Sequence, residues 1–397
     1  MPPGPGLLPE VDPPLPLLVT GIAGVAGYNA FHALRHRYPG QVIGLRRKDN
    51  WPLAGPGIVA CDGDDRDTLR RLFDRYQFAA VLNCEGTCKL KSCELDPAMA
   101  RRVNVDSVTA LLSVLEGTST RLVHLSIDLV YSGTRGGGHV EDDPPDPVTV
   151  YGRTMAQAEQ ILLDALPPQT ALSAGEAGPP GCGGTCGPRS EPAATPRQRR
   201  TGPSLAILRI SLPMGISFNG HAGAIDWIQH RFRHGRPATL YYDEIRTPAY
   251  ADCLNRLFAV LLCRRDLEGL YHAGGPRRLS LYQIAQIVNR VGGYDPDLLH
   301  GCLRKEAGPI PPRAGDVSMD SSKLARALGC QPLAPWPLDA QWVPTHRDWH
   351  REEPRGSPAL LRQVLYRNPE LARPDDGISQ LAAVRHRHKR RLADPAG

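Results

Sequence analysis

Residues Leu17–Gly27 read LLVTGIAGVAG, and this stretch constrains the fold more than any other. A short apolar run ends at Thr20. Glycines follow at Gly21, Gly24 and Gly27, and a helical pattern then runs through Tyr28, Phe31, Leu34 and Arg35. The order is strand, Gly-rich turn, helix. In such a turn the first glycine allows the bend and the second lets the backbone approach a pyrophosphate. The third lets the helix pack on the strand. The helix N-terminus adds free N–H groups and a partial positive charge. The loop therefore predicts a dinucleotide cradle formed by Gly21, Ala23, Gly24, Val25, Ala26 and Gly27.

Downstream, apolar runs at 41–45, 57–60, 79–83 and 121–126 alternate with helical patterns at 67–76, 98–115 and 151–166. Alternation of this kind implies βαβ units and a parallel sheet covered on both faces. The expected fold is thus α/β, a Rossmann-type doubly wound sheet over 17–166. Residues 167–204 are dense in Pro, Gly, Ser and Thr and read as a disordered insertion. Order resumes with a strand at 205–210, and residues 205–345 supply the last Rossmann elements and a smaller α/β lobe. This stretch is expected to carry helices at 224–233, 252–263 and 280–291 and a strand at 269–272. Residues 1–16 read as a disordered Pro-rich N-terminus, and 346–397 as a Pro/Arg-rich basic tail ending RHRHKRR before Leu392.

Composition narrows the class. With 47 basic and 41 acidic residues the net charge is +6, too balanced to argue for nucleic acid. No apolar run reaches the roughly 18 residues that span a bilayer, and residues 1–16 lack the basic start of a signal peptide. The chain reads as a cytoplasmic protein whose ten cysteines are free thiols. Neither Cys84, Cys88 and Cys93 nor Cys182 and Cys186 have zinc-site spacing, so no metal is expected.

Seven segments, in order, resemble the extended short-chain dehydrogenases of the dTDP-4-dehydrorhamnose reductase-like group. That group also includes the methionine adenosyltransferase beta subunit. They are TGIAGVAG (Thr20–Gly27), LVHLSIDLVYSG (Leu122–Gly133), EDDPPDPVTVYGRTMAQAE (Glu141–Glu159), LRISLPMG (Leu208–Gly215), DEIRTPAYADCLNRL (Asp243–Leu257), GLYHAGGPRRLSLYQIA (Gly269–Ala285) and RAGDVSMDSSKLARALG (Arg313–Gly329). The resemblance implies hydride transfer from NAD(P)H to a keto group of a nucleotide-sugar, with a tyrosine giving the proton. It also implies pairing of copies through helices, as a homodimer.

The catalytic triad of that group is Ser/Thr, Tyr and Lys, the last two spaced YxxxK. Here Tyr151 is present, Met155 stands at the lysine position and Ile127 at the Ser/Thr position. Ser126 is one residue away, on the opposite face of its strand. Asp128 matches the acid of the group's S-T-D motif. Without the lysine, Tyr151 is expected to titrate near the ordinary value of about 10. The basic turn Arg46, Arg47 suits a ribose 2′-phosphate, so NADP(H) is favoured over NAD(H). By the resemblance Asp62 meets the adenine. Cys84, Glu85 and Gly86 lie beside the cofactor, where a glutamate is out of pattern. Arg246 and Arg313 have the fork geometry for a nucleotide-sugar diphosphate. Two readings follow: a reductase with a degenerate triad, or an inactive regulatory subunit that acts through a partner enzyme. A third, nucleic-acid binding by the basic tail, has only RHRHKRR behind it.

Overall fold

The computed structural model describes residues 8–166, 204–220, 223 and 225–366. Seven parallel strands form its centre: β1 (Leu17–Thr20), β2 (Val42–Arg46), β3 (Ile58–Ala60), β4 (Ala80–Asn83), β5 (Arg121–Ile127), β6 (Ser204–Ile210) and β7 (Gly269–Ala273). Their order across the sheet is β7-β6-β5-β4-β1-β2-β3. The strand order reverses between β1 and β4. At such a switch point the connections leave in opposite directions and a crevice opens at the carboxyl ends of the strands.

Burial on both faces explains the sequence pattern. Leu17 and Val19 enter one apolar core and Leu18 the other. Such strands read as continuous apolar runs, not as alternation. One face is covered by α1 (Val25–Arg37) and the helix Ala251–Cys263, which pack on each other. The other carries α2 (Arg66–Tyr76), α3 (Ser107–Leu115) and α4 (Val150–Asp164). The predicted 98–115 helix is interrupted. A π turn over Arg102–Asp106 separates Pro97–Arg101 from α3. Such turns in helices gather at functional sites. This one places buried Asn104 so that its Oδ1 accepts from the Thr87 N–H (2.8 Å) and its Nδ2 donates to Thr154 Oγ1 (2.8 Å).

The second lobe is built from short pieces. Ala238–Tyr241 pairs with Leu299–Cys302, and Ile245–Arg246 with Leu279–Ser280. The helix Leu281–Gly292 starts with a Ser280–Gln283 capping box and stops at Gly293 (φ 67°). The loop after β5 clamps the lobe: the Gly315 N–H donates to the Ser132 carbonyl (2.8 Å) and the Asp316 N–H to that of Gly133 (3.1 Å).

Two expected boundaries move. Residues 8–16 are placed, with Leu8 buried in the core, so the N-terminal segment expected to be disordered is in part packed. The tail begins later than position 346. Trp349 and His350 are buried, and the helix Pro358–Leu365 packs on Leu281–Gly292. Arg290 stacks on the Trp349 ring (4.3 Å) and reaches Glu352 (3.0 Å). The insertion 167–203, with Cys182 and Cys186, and the tail from 367, with its RHRHKRR run, lie outside the described residues. Among the described residues no helix is long and apolar enough to cross a membrane.

Candidate active site

The cleft opens where β1 and β4 end. Gly21 has φ +61°, and a Cβ there would lie 2.1 Å from the Cys84 carbonyl oxygen. A Cβ on Gly27 would lie 2.6 Å from the Gly21 carbonyl oxygen. These two glycines are required by the protein itself. Gly24 differs: it is exposed, and a Cβ there meets nothing closer than 3.5 Å. It is also the N-cap of α1 and offers no side chain to the first helical N–H groups. Beside it, Ala23 is half-buried, while Val25 and Ala26 are buried at the helix start. The loop therefore leaves an open approach to a helix N-terminus, as a diphosphate needs. Gly21→Ala is expected to cost on the order of 1–3 kcal/mol from its backbone conformation alone, before the Cys84 clash. Chemical denaturation would show it; an unchanged midpoint would contradict this geometry.

The basic turn after β2 is largely tied down. Arg46 Nη1 donates to the carbonyls of Arg47 (2.9 Å) and Lys48 (3.3 Å), leaving its buried Nε without a partner. Arg47 pairs with Asp49 (3.3 Å). Asp62 accepts from the Lys48 N–H (3.0 Å). Across the groove, Cys84 is held against Gly21, and Gly86 is exposed. Glu85 is buried, with the Gly21 N–H beside its carboxyl. Burial pushes its pKa up to about 7; Arg47 and that N–H oppose the shift, while Asp62 and Asp49 add to it.

Thr149 caps α4 by accepting from the Gly152 N–H (2.9 Å), which sets Tyr151 in the first helical turn. Met155 follows four residues later on the same face. Both are buried, at 7% and 2% exposure, in one small apolar cluster with Val130 and Ala314. Tyr151 does not titrate near the ordinary value, as the sequence reading expected. Burial raises its pKa well above 10, Cys88, Asp128 and Cys93 raise it further, and the Arg246 charge opposes them. Among the described residues its hydroxyl has no recorded hydrogen-bond partner.

Ile127 is half-buried at the strand end. Ser126 faces away, as strand alternation requires, and donates to Glu159. Asp128 is buried; its Oδ2 accepts from Ser211 Oγ (2.5 Å), and its carboxyl is raised chiefly by burial. Arg246 Nη1 lies 3.7 Å from Asp128 Oδ1, and Nη2 donates to Glu244 (2.7 Å). Arg313 approaches the same Glu244 at 3.9 Å and stacks on Tyr241. Arg246 Nη1 and Glu244 Oε2 are buried without hydrogen-bond partners. The fold thus gathers Asp128, Arg246 and Arg313 around an unforeseen Glu244. Among the described residues no group of His, Cys, Asp or Glu side chains could hold a metal.

A doubly wound sheet with a glycine cradle at its switch point and a tyrosine in the adjoining cleft defines a Rossmann-type protein. Residues 15–172 match the family model described as the RmlD substrate binding domain. The chain is 33% identical over 150 residues to a dTDP-4-keto-6-deoxy-D-glucose reductase of Streptomyces niveus. That match covers 38% of this chain and 48% of the relative, so it spans about half the relative's length. It is 19% identical over 314 residues to methionine adenosyltransferase 2 subunit beta of Danio rerio, covering 78% and 83%. The crystal structure of dTDP-4-dehydrorhamnose reductase from Bacillus anthracis in complex with NADP shares the fold. Its TM-score is 0.63 at 14% identity, over 89% and 99% of the two chains. Over residues 15–172 the chain is thus similar to the dTDP-4-dehydrorhamnose reductase-like proteins.

Proposed function

We propose that this protein binds a nicotinamide dinucleotide in the Gly21–Gly27 cradle and reduces a keto group of a nucleotide-sugar, slowly, with Tyr151 as proton donor. The observation that carries the proposal is the assembly of Tyr151, Asp128, Arg246 and Arg313 in one cleft beside a loop with an open helix N-terminus. The bound dinucleotide would supply the hydride. Gly24 and the first N–H groups of α1 would hold its diphosphate. Arg47 supports NADP(H) over NAD(H), as the less constrained guanidinium of the pair. Arg246 and Arg313 would take the diphosphate of the sugar nucleotide; the unpartnered Nη1 of Arg246 is the donor available for it.

The chemistry available to the side chains is limited. A neutral phenol can donate a proton, but the phenolate it leaves would be buried beside Asp128 with only the Arg246 charge opposing. A weaker acid transfers its proton more slowly, so turnover is expected to be low. Oxidation of an alcohol, which needs a phenolate at the start, is expected to be slower still.

Titration with NADPH and NADH, followed by addition of a dTDP-4-dehydro sugar and absorbance of the reduced nicotinamide, tests the reading. Binding with turnover supports it; binding of both ligands without turnover overturns the catalytic half. Gly24→Ala separates cradle from fold: at φ −79° alanine is tolerated, so stability is expected to hold while dinucleotide affinity falls. The regulatory reading is favoured by one observation, the apolar pair Met155 and Ile127 where the family places polar groups. It predicts dinucleotide binding, no turnover, and an effect on a partner enzyme.

A further inference from the structure

We propose that Glu85 is a resident acid of the cradle, and that an adenine dinucleotide enters the groove only as this carboxyl takes up a proton. The inference rests on the cradle reading above and concerns what controls it.

The placement is specific. The Gly21 N–H, at the first bend of the glycine loop, lies beside the Glu85 carboxyl and favours its ionised form. The Glu85 backbone is fixed in turn, its N–H donating to Asn83 Oδ1 (3.2 Å), which also accepts from Thr20 Oγ1 (2.5 Å). On the far side, a Cβ on Gly63 would lie 3.2 Å from Glu85 Cγ. The side chain thus spans the groove from the glycine turn to the end of β3. It lines a residual cavity of about 10 Å³ with Thr20, Leu45, Cys61, Ser107 and Leu111. That volume holds about one water, so little open space is left beside the Glu85 side chain.

The charge around it is mainly negative. From the turn after β2 come Arg47 and Asp49, already paired with each other. From the end of β3 come Asp62 and the buried Cys61 thiol, itself raised by Glu85. From its own strand end comes the half-buried Cys84, and α3 contributes only the neutral Ser107. One cation thus faces two carboxylates before Glu85 is counted. An ionised Glu85 adds a third, and a diphosphate brings further negative charge into the same low-dielectric groove. A protonated Glu85 removes the repulsion and gains an O–H donor for a nucleotide acceptor. Burial holds its pKa at about 7 in the free protein, so the exchange falls within the neutral range.

The test uses the full chain, with NADPH as the probe, followed by fluorescence and calorimetry from pH 5.5 to 8.5. In the wild type the dissociation constant is expected to weaken about tenfold from pH 6 to pH 8. Calorimetry in two buffers of different ionisation enthalpy is expected to show net proton uptake at pH 7.5. Glu85→Gln is expected to bind with a flat profile, at least as tightly as the wild type at pH 6. Without ligand, a carboxyl raised in the folded state stabilises fully below its unfolded value, and that contribution is lost as pH rises through about 7. The denaturation midpoint of Glu85→Gln is therefore expected to gain on the wild type from pH 5 to 8. A wild-type affinity independent of pH, or an equal slope in Glu85→Gln, overturns this inference and leaves the cradle standing. NADPH binding to neither protein at any pH overturns both.

Discussion

Tyr151→Phe is expected to lower the rate of keto-sugar reduction by about 10²–10⁴-fold, the usual worth of positioned acid catalysis, while leaving dinucleotide affinity unchanged. The ring packs among Met155, Val130 and Ala314, and phenylalanine preserves those contacts. The hydroxyl has no recorded partner among the described residues, so its removal leaves no donor or acceptor unpaired. The fold should therefore survive, and a changed rate would report chemistry. An unchanged rate would move proton delivery to Asp128, a second buried acid near Tyr151, which burial holds partly toward its neutral form. The complementary change is Met155→Lys. An ammonium four residues along the same helix face favours the phenolate, by one to three pK units for charges this close. The rate is expected to rise about tenfold or more, and the upper limb of its pH profile to move down. A lysine that raises the rate without moving that limb would act through the dinucleotide instead.

The sheet was legible because a strand buried on both faces has to be apolar throughout, and runs such as Leu17–Val19 and Ala79–Asn83 have few other uses. The glycine turn was legible because Gly21 and Gly27 stand where a Cβ would strike backbone, a constraint written directly into residue type. The 98–115 helix was legible in place but not in form. A π turn changes the hydrogen-bond register without changing composition, so nothing marked Asn104. The second lobe carried the weakest signal, since its paired strands are two to four residues long and show no period. Within the site, the placing of Tyr151 and Met155 on one helix face could be read from spacing. Glu244 could not, because it joins Arg246 and Arg313 from 67 residues apart through tertiary packing. The raised pKa of Tyr151 was missed for a related reason: spacing reports which charges are absent, and burial reports what their absence costs. Glu85 was recognisable as out of pattern, but its place beside the Gly21 N–H depends on β1 lying beside β4.

Further along α4 lies the interaction whose loss is expected to cost most stability. Glu159 and Arg209 are each 2% exposed and meet through two bonds, Nη2 to Oε2 at 2.7 Å and Nε to Oε1 at 2.9 Å. Ser126 donates to the same carboxylate, and Arg209 Nη1 donates to the Tyr131 hydroxyl. Tyr131 in turn reaches the Val140 carbonyl and His272 Nε2, each at 3.0 Å. His272 is neutral, its pKa pushed down to about 3 by burial and by Arg209, and its Nδ1–H donates to the His139 carbonyl (3.0 Å). This chain of partners joins α4, β5, β6 and β7 to the loop that carries Asp128. Glu159→Leu strands a guanidinium in a site with no water to solvate it, and a broken buried pair costs about 3–5 kcal/mol. Glu159→Leu with Arg209→Met removes both charges and fills the volume, which is often neutral in such pairs. Chemical denaturation of the three proteins is therefore expected to give one large loss and one near-recovery. A double variant as unstable as the single would show that the pair is valued for its bonds to Ser126 and Tyr131, not for the mutual neutralisation of two charges that burial would otherwise forbid.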